Sequence, residues 1–265
     1  MLSLSVAIIT LNESRIIEKT ILSVKSVASE VIVLDSGSTD GTINLAKNLG
    51  AKCYHQDWLG FSQQKNMCID KTSGDLVLSL DADEIMSNEL VEEIKVLLSQ
   101  PIESLADGYK IARLLFIDDK PLKFGGFYPD YQLRLFKRGL GKFNDRLVHE
   151  SIKINGHIKF LKNPLNHYAY TSLNDFKENH EKYAVLAAEY NKEKFYAKFK
   201  KPQYYHYFLF YIDYFIHPIW TLFFRFIIRL GFLDGVYGLK ANLIYSDYVR
   251  KKILYFIQAC KLIES

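Results

Sequence analysis

Cysteine is scarce in this chain, with Cys53, Cys68 and Cys260 its only thiols. Their odd number and lack of metal-ligand spacing argue against a disulfide framework or a cysteine metal site. A reduced compartment and plain packing roles are the economical expectation. Charge of one sign is also missing, since 34 basic residues face 30 acidic ones for a net +4, and no nucleic-acid partner is expected. There is no internal repeat and no low-complexity linker. The stretch Met1 to Ile9 lacks the charged region and small-residue cleavage site of a signal peptide and reads as a first strand. Nowhere does the chain offer the uninterrupted apolar span of about twenty residues that a simple transmembrane helix needs. What remains is a 265-residue chain able to bury a sizeable core, read as one domain with an appendage.

The chain does hold a short acidic box, Asp81-Ala82-Asp83-Glu84, directly behind the apolar run Leu76-Val77-Leu78-Ser79-Leu80. Such a run, preceded by Gly74, reads as a buried strand, so the carboxylates stand where a parallel strand ends. Asp81 and Asp83 can both reach one hard cation, whose shell phosphate oxygens would complete. They can equally begin a loop and cap the next helix.

Upstream, Val6 to Ile9 ends at Thr10-Leu11-Asn12-Glu13, and Ile16, Ile17, Thr20, Ile21 and Val24 then recur with helical spacing. Val31 to Leu34 ends at Asp35 and a Ser/Gly turn, followed by a short helix towards Gly50. A third strand over Ala51 to His55, a helix over Phe61 to Lys71 and the strand before the box complete an alternation that argues for a parallel, doubly wound sheet. Ser87 can cap a helix running through Leu98. From Gly108 to Ile158 the pattern changes to strands over Tyr109 to Phe116, Tyr131 to Phe136 and Leu147 to Ile154, so this half is expected to be mixed or antiparallel. Ser172 to Phe199 is helical in character.

Three strand ends therefore carry polar residues: Thr10 to Glu13, Asp35, and Asp81 to Asp83. In an open parallel sheet they line one crevice. Asp35 can accept from a nucleobase or ribose, or cap its own turn, a role that suits Asp40 better. Lys65 can neutralise a diphosphate or be a solvated surface lysine.

The ordered series Thr10-Leu11-Asn12-Glu13, Asp35-Ser36-Gly37-Ser38-Thr39-Asp40-Gly41-Thr42, Gln64-Lys65-Asn66 and Asp81-Ala82-Asp83-Glu84 resembles the family 2 glycosyltransferases with a GT-A fold. Tyr128-Pro129-Asp130-Tyr131-Gln132-Leu133-Arg134-Leu135-Phe136 and Leu147-Val148-His149-Glu150 resemble the subgroup containing bacterial lipopolysaccharide-core β-1,4-glucosyltransferases. The resemblance covers most of the chain. It implies an α/β, Rossmann-like mixed sheet: a GT-A catalytic domain over 1–170, with a nucleotide-binding half over 1–100 and an acceptor half over 101–170, and a helical, aromatic-rich extension over 171–265.

By the same resemblance the donor is a nucleotide sugar, usually UDP-linked, with Thr10, Asn12, Glu13, Asp35, Lys65 and Asp81 at the nucleotide. Asp83 would hold Mg²⁺ or Mn²⁺, and His149 would contact metal or phosphate. An inverting transfer also needs a carboxylate base. Asp130 is the first candidate, although Pro129 replaces the first acid of the family's pair, and Glu150 is the second. His167 reads as a packed, hydrogen-bonded histidine. The implied activity moves a hexose, glucose being one candidate, to lipopolysaccharide core or another envelope glycan at the cytoplasmic face of the bacterial inner membrane. Transfer to a polyprenyl phosphate, or a catalytically silent membrane-binding scaffold, are the alternatives.

From Tyr204 to Leu230 the chain is crowded with aromatics and interrupted by Asp213, His217, Pro218, Arg225 and Arg229. Pro218 suits a helix start. Arg225 and Arg229 would share one face of that helix, leaving Trp220, Phe223, Phe224 and Ile227 to cover much of the rest. With Arg250, Lys251 and Lys252 further on, the segment suits peripheral attachment to an anionic membrane. A packed face on the catalytic domain or against another subunit is the plainer reading.

Overall fold

The computed structural model describes residues 1–144, 151–199, 202 and 204–264. Strand β1 (Leu4–Thr10) is buried along its whole length because it runs between two parallel neighbours. Helix α1 (Ile17–Val24) buries Ile17, Thr20, Ile21 and Val24, the stripe its spacing foretells. The alternation continues through β2 (Glu30–Asp35), α2 (Thr42–Asn48), β3 (Lys52–His55), α3 (Phe61–Ile69) and β4 (Leu76–Asp81). The acidic box then enters a three-residue strand, β5 (Glu84–Met86), which the sequence did not foretell. Helix α4 (Asn88–Leu98) starts where expected, with the Ser87 hydroxyl accepting from Leu90 N at 3.2 Å.

The second half is strand-rich: β6 (Gly108–Ile117), β7 (Lys120–Leu122), β8 (Asp130–Lys137), β9 (Lys142–Phe143), β10 (Ile152–Lys153), β11 (Ile158–Phe160) and β12 (Leu165–Tyr170). The main sheet runs β3-β2-β1-β4-β8-β6-β12-β5. β1 pairs with β2 and β4 in parallel, whereas β8 is antiparallel to both β4 and β6, so the expected mixed α/β sheet is present. Successive β1 side chains feed two separate clusters, Leu4, Val6 and Ile8 one, Ala7 and Ile9 the other, as period-two alternation requires. The strand expected over Leu147 to Ile154 is described only from residue 151, and β10 occupies that part.

By compactness the chain divides into residues 1–114 with 129–168, and residues 115–128 with 169–265. In the second unit lie α5 (Leu173–Lys198), α6 (Tyr204–Phe223) and α7 (Gly235–Glu264). Pro218 lies inside α6, not at a helix start. A π-helical stretch, Phe224–Ile228, follows α6, so Arg225 and Arg229 do not share one regular helix face.

Glu30 ties the N-terminal edge of the sheet together. Its Oε1 accepts from Ser5 Oγ, Ser73 N and Ser73 Oγ, each at 2.7 Å, and its Oε2 meets Lys52 Nζ at 2.7 Å. Burial alone would raise its pKa, but the hydrogen bonds from Lys52, Ser5 and Ser73 prevail and bring it from 4.5 to about 2. Glu30→Gln is expected to cost about 1–2 kcal/mol at neutral pH. A lowered carboxylate pKa stabilises above the unfolded value, so the deficit should shrink as pH falls below 4.5 towards about 2. Urea midpoints at neutral pH and in mild acid check this.

Candidate active site

The parallel register sets Thr10 opposite Asp35 and Ile9 opposite Asp81, so the C-terminal ends of β1, β2 and β4 stand side by side. The loops that follow are laced together. Asn12 takes a left-handed backbone with φ 57°, which asparagine tolerates, and its Oδ1 accepts from Thr39 N at 2.9 Å. Asn12 N donates to Ser38 Oγ and Glu13 N to Thr42 Oγ1, both at 2.8 Å. Asp35 Oδ2 accepts from Gly37 N and Ser38 N at 2.9 Å, and Oδ1 from the Ser38 hydroxyl. Asp35 therefore closes its own turn, while Asp40 ties Ser14 to Thr42. Thr10 Oγ1 and Gln64 Oε1 are buried without a hydrogen-bond partner, leaving polar capacity at these strand and helix ends.

Lys65 is buried, not solvated, and its Nζ lies 2.7 Å from Asp81 Oδ1. Arg134 Nη2 meets Asp81 Oδ2 at 2.6 Å and also donates to Glu84 Oε1. Glu84 is fully buried; its Oε1 receives Arg113 Nη1 at 3.3 Å and its Oε2 accepts from Asp81 N at 3.0 Å. Arg113 in turn donates Nε to Asp130 Oδ2 at 2.9 Å, with Nη2 on the same oxygen, and Gln132 Nε2 donates to Asp130 Oδ1 at 2.8 Å. Lys65, Asp81, Arg134, Glu84, Arg113 and Asp130 thus form a chain of alternating sign. Strand alternation puts Asp130, Gln132 and Arg134 on one face of β8, and Arg113 of β6 stands opposite Asp130 in the ladder.

The electrostatics distinguish the two aspartates of the box. Burial would raise the pKa of Asp81, but Arg134 and Lys65 hold it well below the usual carboxylate range. A carboxylate already sandwiched between two cations has little field left for a divalent ion. Asp83 has none of these cations. Its Oδ2 lies 3.3 Å from His167 Nε2, and its backbone oxygen accepts from Tyr168 N at 2.9 Å. Burial works against protonation of His167, but the Asp83 carboxylate outweighs it and raises the imidazole pKa. Glu13 is pushed up to about 7, first by burial and then by Asp83, with Arg15 opposing. The Asp83 carboxylate beside an imidazole nitrogen, 3.3 Å away, is a donor pair that suits a divalent cation with diphosphate oxygens completing its shell. Among the described residues no cluster of three or more His, Cys, Asp or Glu side chains forms a self-sufficient metal cage.

The structure thus brings Lys65, Asp81, Asp83 and Asp130 into one unit, together with Thr10, Asn12, Glu13 and Asp35 at the adjoining strand ends. His149 and Glu150 lie outside the described residues. Asn66 faces elsewhere: its amide braces β9, exchanging hydrogen bonds with Phe143 at 2.8 and 3.0 Å. Sequence reasoning missed Arg113, Arg134 and Glu84 as a network; it read His167 as a packed, hydrogen-bonded histidine, and the structure supplies its partner, Asp83. A lone arginine inside Ile111-Ala112-Arg113-Leu114-Leu115 was a usable signal, since a charge on a half-buried strand needs a partner. His167 offered none, because its place follows from the antiparallel pairing of β12 with β5, which sets it opposite Glu84.

A model of glycosyl transferase family 2 matches residues 5–121. The uncharacterized glycosyltransferase RC0292 of Rickettsia conorii is 32% identical over 99% of this chain and 90% of its own length. The lipopolysaccharide core biosynthesis glycosyltransferase LpsC of Rhizobium meliloti is 31% identical over 77% of this chain and 76% of its own. Among solved structures, glucosyl-3-phosphoglycerate synthase from Mycobacterium tuberculosis, crystallised with Mn²⁺, UDP and glucosyl-3-phosphoglycerate, is similar at 28% identity and a TM-score of 0.35, over 43% of this chain and 44% of that one. With residues 5–121 matched by the family model and a relative 32% identical along nearly its whole length, the chain belongs to glycosyl transferase family 2 and is a glycosyltransferase.

Proposed function

We propose that this enzyme is a metal-dependent, inverting hexosyltransferase that uses a UDP-linked sugar, with glucose as the first candidate. Its acceptor would be lipopolysaccharide core or another cell-envelope glycan, reached by peripheral attachment at the cytoplasmic face of the bacterial inner membrane. The observation that carries this reading is the division of labour in the acidic box: Asp81 is held by Lys65 and Arg134, while Asp83, with His167 beside it, contacts neither of those cations. The acceptor class is supported by the name of the relative from Rhizobium meliloti.

Asp83 and His167 would hold Mg²⁺ or Mn²⁺, and the imidazole favours Mn²⁺. Such an ion supplies Lewis-acid stabilisation of a departing nucleoside diphosphate. Lys65 and Arg134, which both contact Asp81, would add fixed positive charge next to it, and Asp81 would meet the ribose. Thr10, Asn12, Glu13 and Asp35 would line the nucleoside end.

Asp130 is our choice for the base that takes the acceptor's proton. Burial would raise its pKa, but Arg113 and Gln132 lower it, so the carboxylate is ionised at neutral pH as a base must be. Its low basicity fits proton transfer that completes late, as the leaving group departs. Asp130→Asn is expected to lower kcat by about 10²–10⁴-fold with donor Kd unchanged. Glu150→Gln is the control at saturating donor. Normal transfer by Asp130→Asn would refute the assignment, and collapse in Glu150→Gln alone would move the role there. A panel of nucleotide sugars with Mn²⁺, followed by core oligosaccharide and polyprenyl phosphate as acceptors, tests the substrate classes.

A further inference from the structure

The second unit carries a helix whose exposed side is mostly apolar. Helix α6 packs inward through Tyr207, Phe210 and Tyr214, which meet Val249, Ile253 and Ile257 of α7. Ser246 of α7 reinforces this contact by donating to Pro218 O at 2.7 Å. An ordinary surface helix would turn charged residues outward. Here the outward positions include Phe208, Phe215, Ile216, Ile219, Trp220 and Phe223, with Phe208, Phe215 and Ile219 exposed by 62%, 64% and 71%. Among the exposed described residues of α6 the only acidic residue is Asp213 and the only histidine His217, and they lie 3.3 Å apart.

The apolar surface continues past the helix. The π-helical stretch Phe224–Ile228 and a 3-10 turn over Gly231–Asp234 reverse the chain into α7. At this elbow Ile227, Ile228, Phe232, Leu233 and Val236 are exposed, Val236 by 70%. The arginine that could have broken the patch is turned inward. Arg225 Cζ lies 4.2 Å from the Phe127 ring centroid and 3.9 Å from that of Tyr245, and its Nε donates to Asn242 Oδ1 at 3.1 Å. Contiguous exposed apolar surface of this kind marks an interaction site.

Charge identifies the occupant. Between residues 192 and 261 twelve basic residues stand against four acidic ones. Helix α6 has no lysine or arginine, whereas Lys194 and Lys198 on α5, Arg229 at the elbow, and Lys240 and Arg250 on α7 are exposed in the same unit. An apolar, aromatic strip with Trp220 and Tyr211 among its exposed residues, bordered by positive charge, matches the boundary between acyl chains and anionic headgroups. A second copy of the chain would bring like charges together around a shared axis. Among the described residues no helix is long and apolar enough to cross a membrane.

We propose that the outer side of α6 and the elbow that follows form a docking surface for an anionic phospholipid bilayer, with α6 lying in the interfacial plane and the elbow inserted among the acyl chains. This names the element and the lipid chemistry behind the peripheral attachment suggested above, and rests on that reading only for its purpose.

The test is co-sedimentation of the full chain with vesicles of phosphatidylcholine alone or mixed with phosphatidylglycerol, comparing wild type with Ile219→Glu/Phe223→Glu. Both positions are exposed, so the double variant should fold. Wild type is expected to partition onto the mixed vesicles, less onto neutral ones and less at high salt, and the variant to lose about tenfold or more of this binding. Absence of wild-type binding, or equal binding by the variant, would overturn the proposal. So would concentration-dependent self-association of wild type that the same variant abolishes, since a second copy would then cover the face. UDP release from a soluble donor, measured alongside, separates the two readings. Normal UDP release with lost vesicle binding supports the docking surface. Vesicle binding without UDP release from any nucleotide sugar would sink the transferase chemistry and leave the docking surface standing.

Discussion

Asp83→Asn is expected to lower kcat/KM for sugar transfer by about three orders of magnitude, about 4 kcal/mol of transition-state stabilisation. The size follows from what the site lacks without that charge. Lys65 and Arg134 are already committed to Asp81, and Arg134 also to Glu84. Asparagine keeps the shape of Asp83 and leaves the backbone bond from Tyr168 N intact. The fold should therefore survive, because among the described residues the Asp83 side chain has one ion pair, with His167. Calorimetric titration of Mn²⁺ in the presence of UDP gives a second readout. Affinity should fall together with rate, whereas loss of rate with unchanged Mn²⁺ affinity would take Asp83 out of the metal site.

Glu84→Gln should have its largest effect on stability. Glu84 is fully buried and shared by Arg134 and Arg113, so its neutralisation leaves two guanidinium groups with one carboxylate fewer between them. Removing one partner from a buried ionic cluster costs about 3–5 kcal/mol, mainly through the uncompensated charge that remains. Activity should fall as well, since Arg134 orients Asp81 and Arg113 orients Asp130. Urea unfolding measures the first effect. A change below about 1 kcal/mol would mean that the guanidinium groups find other partners on relaxing.

The parallel half of the fold was legible in the sequence because each element carried its own signal. Leu76 to Leu80 is apolar but for Ser79 and buried throughout since β4 is flanked on both sides, and Ser87 marks the start of α4 with a side-chain cap. The site was legible where it depends on strand ends: Thr10, Asp35, Asp81 and Asp83 converge by the register of β1, β2 and β4. What was not legible depends on pairing between distant segments. β5 and β12 are short, and only their antiparallel contact brings His167 next to the box. The Arg113–Asp130 pair likewise comes from the β6–β8 ladder, across a stretch where no local periodicity sets the register. In the second unit the sequence suggested an arginine-bearing face over Trp220 to Arg229. The π-helical stretch breaks that face and lets Arg225 turn between Phe127 and Tyr245. Burial there brings its pKa down to about 10, which leaves it charged at neutral pH.

Asp83 is proposed to support metal-dependent departure of a nucleoside diphosphate. The most direct measurement is release of UDP from a panel of UDP-hexoses by the wild-type chain, with Mn²⁺, with a chelator, and with Mn²⁺ restored. Release from at least one donor that stops with chelator, returns with Mn²⁺ and is lost in Asp83→Asn is the expected result. Turnover indifferent to the chelator, or no binding or turnover of any nucleotide sugar, would contradict it.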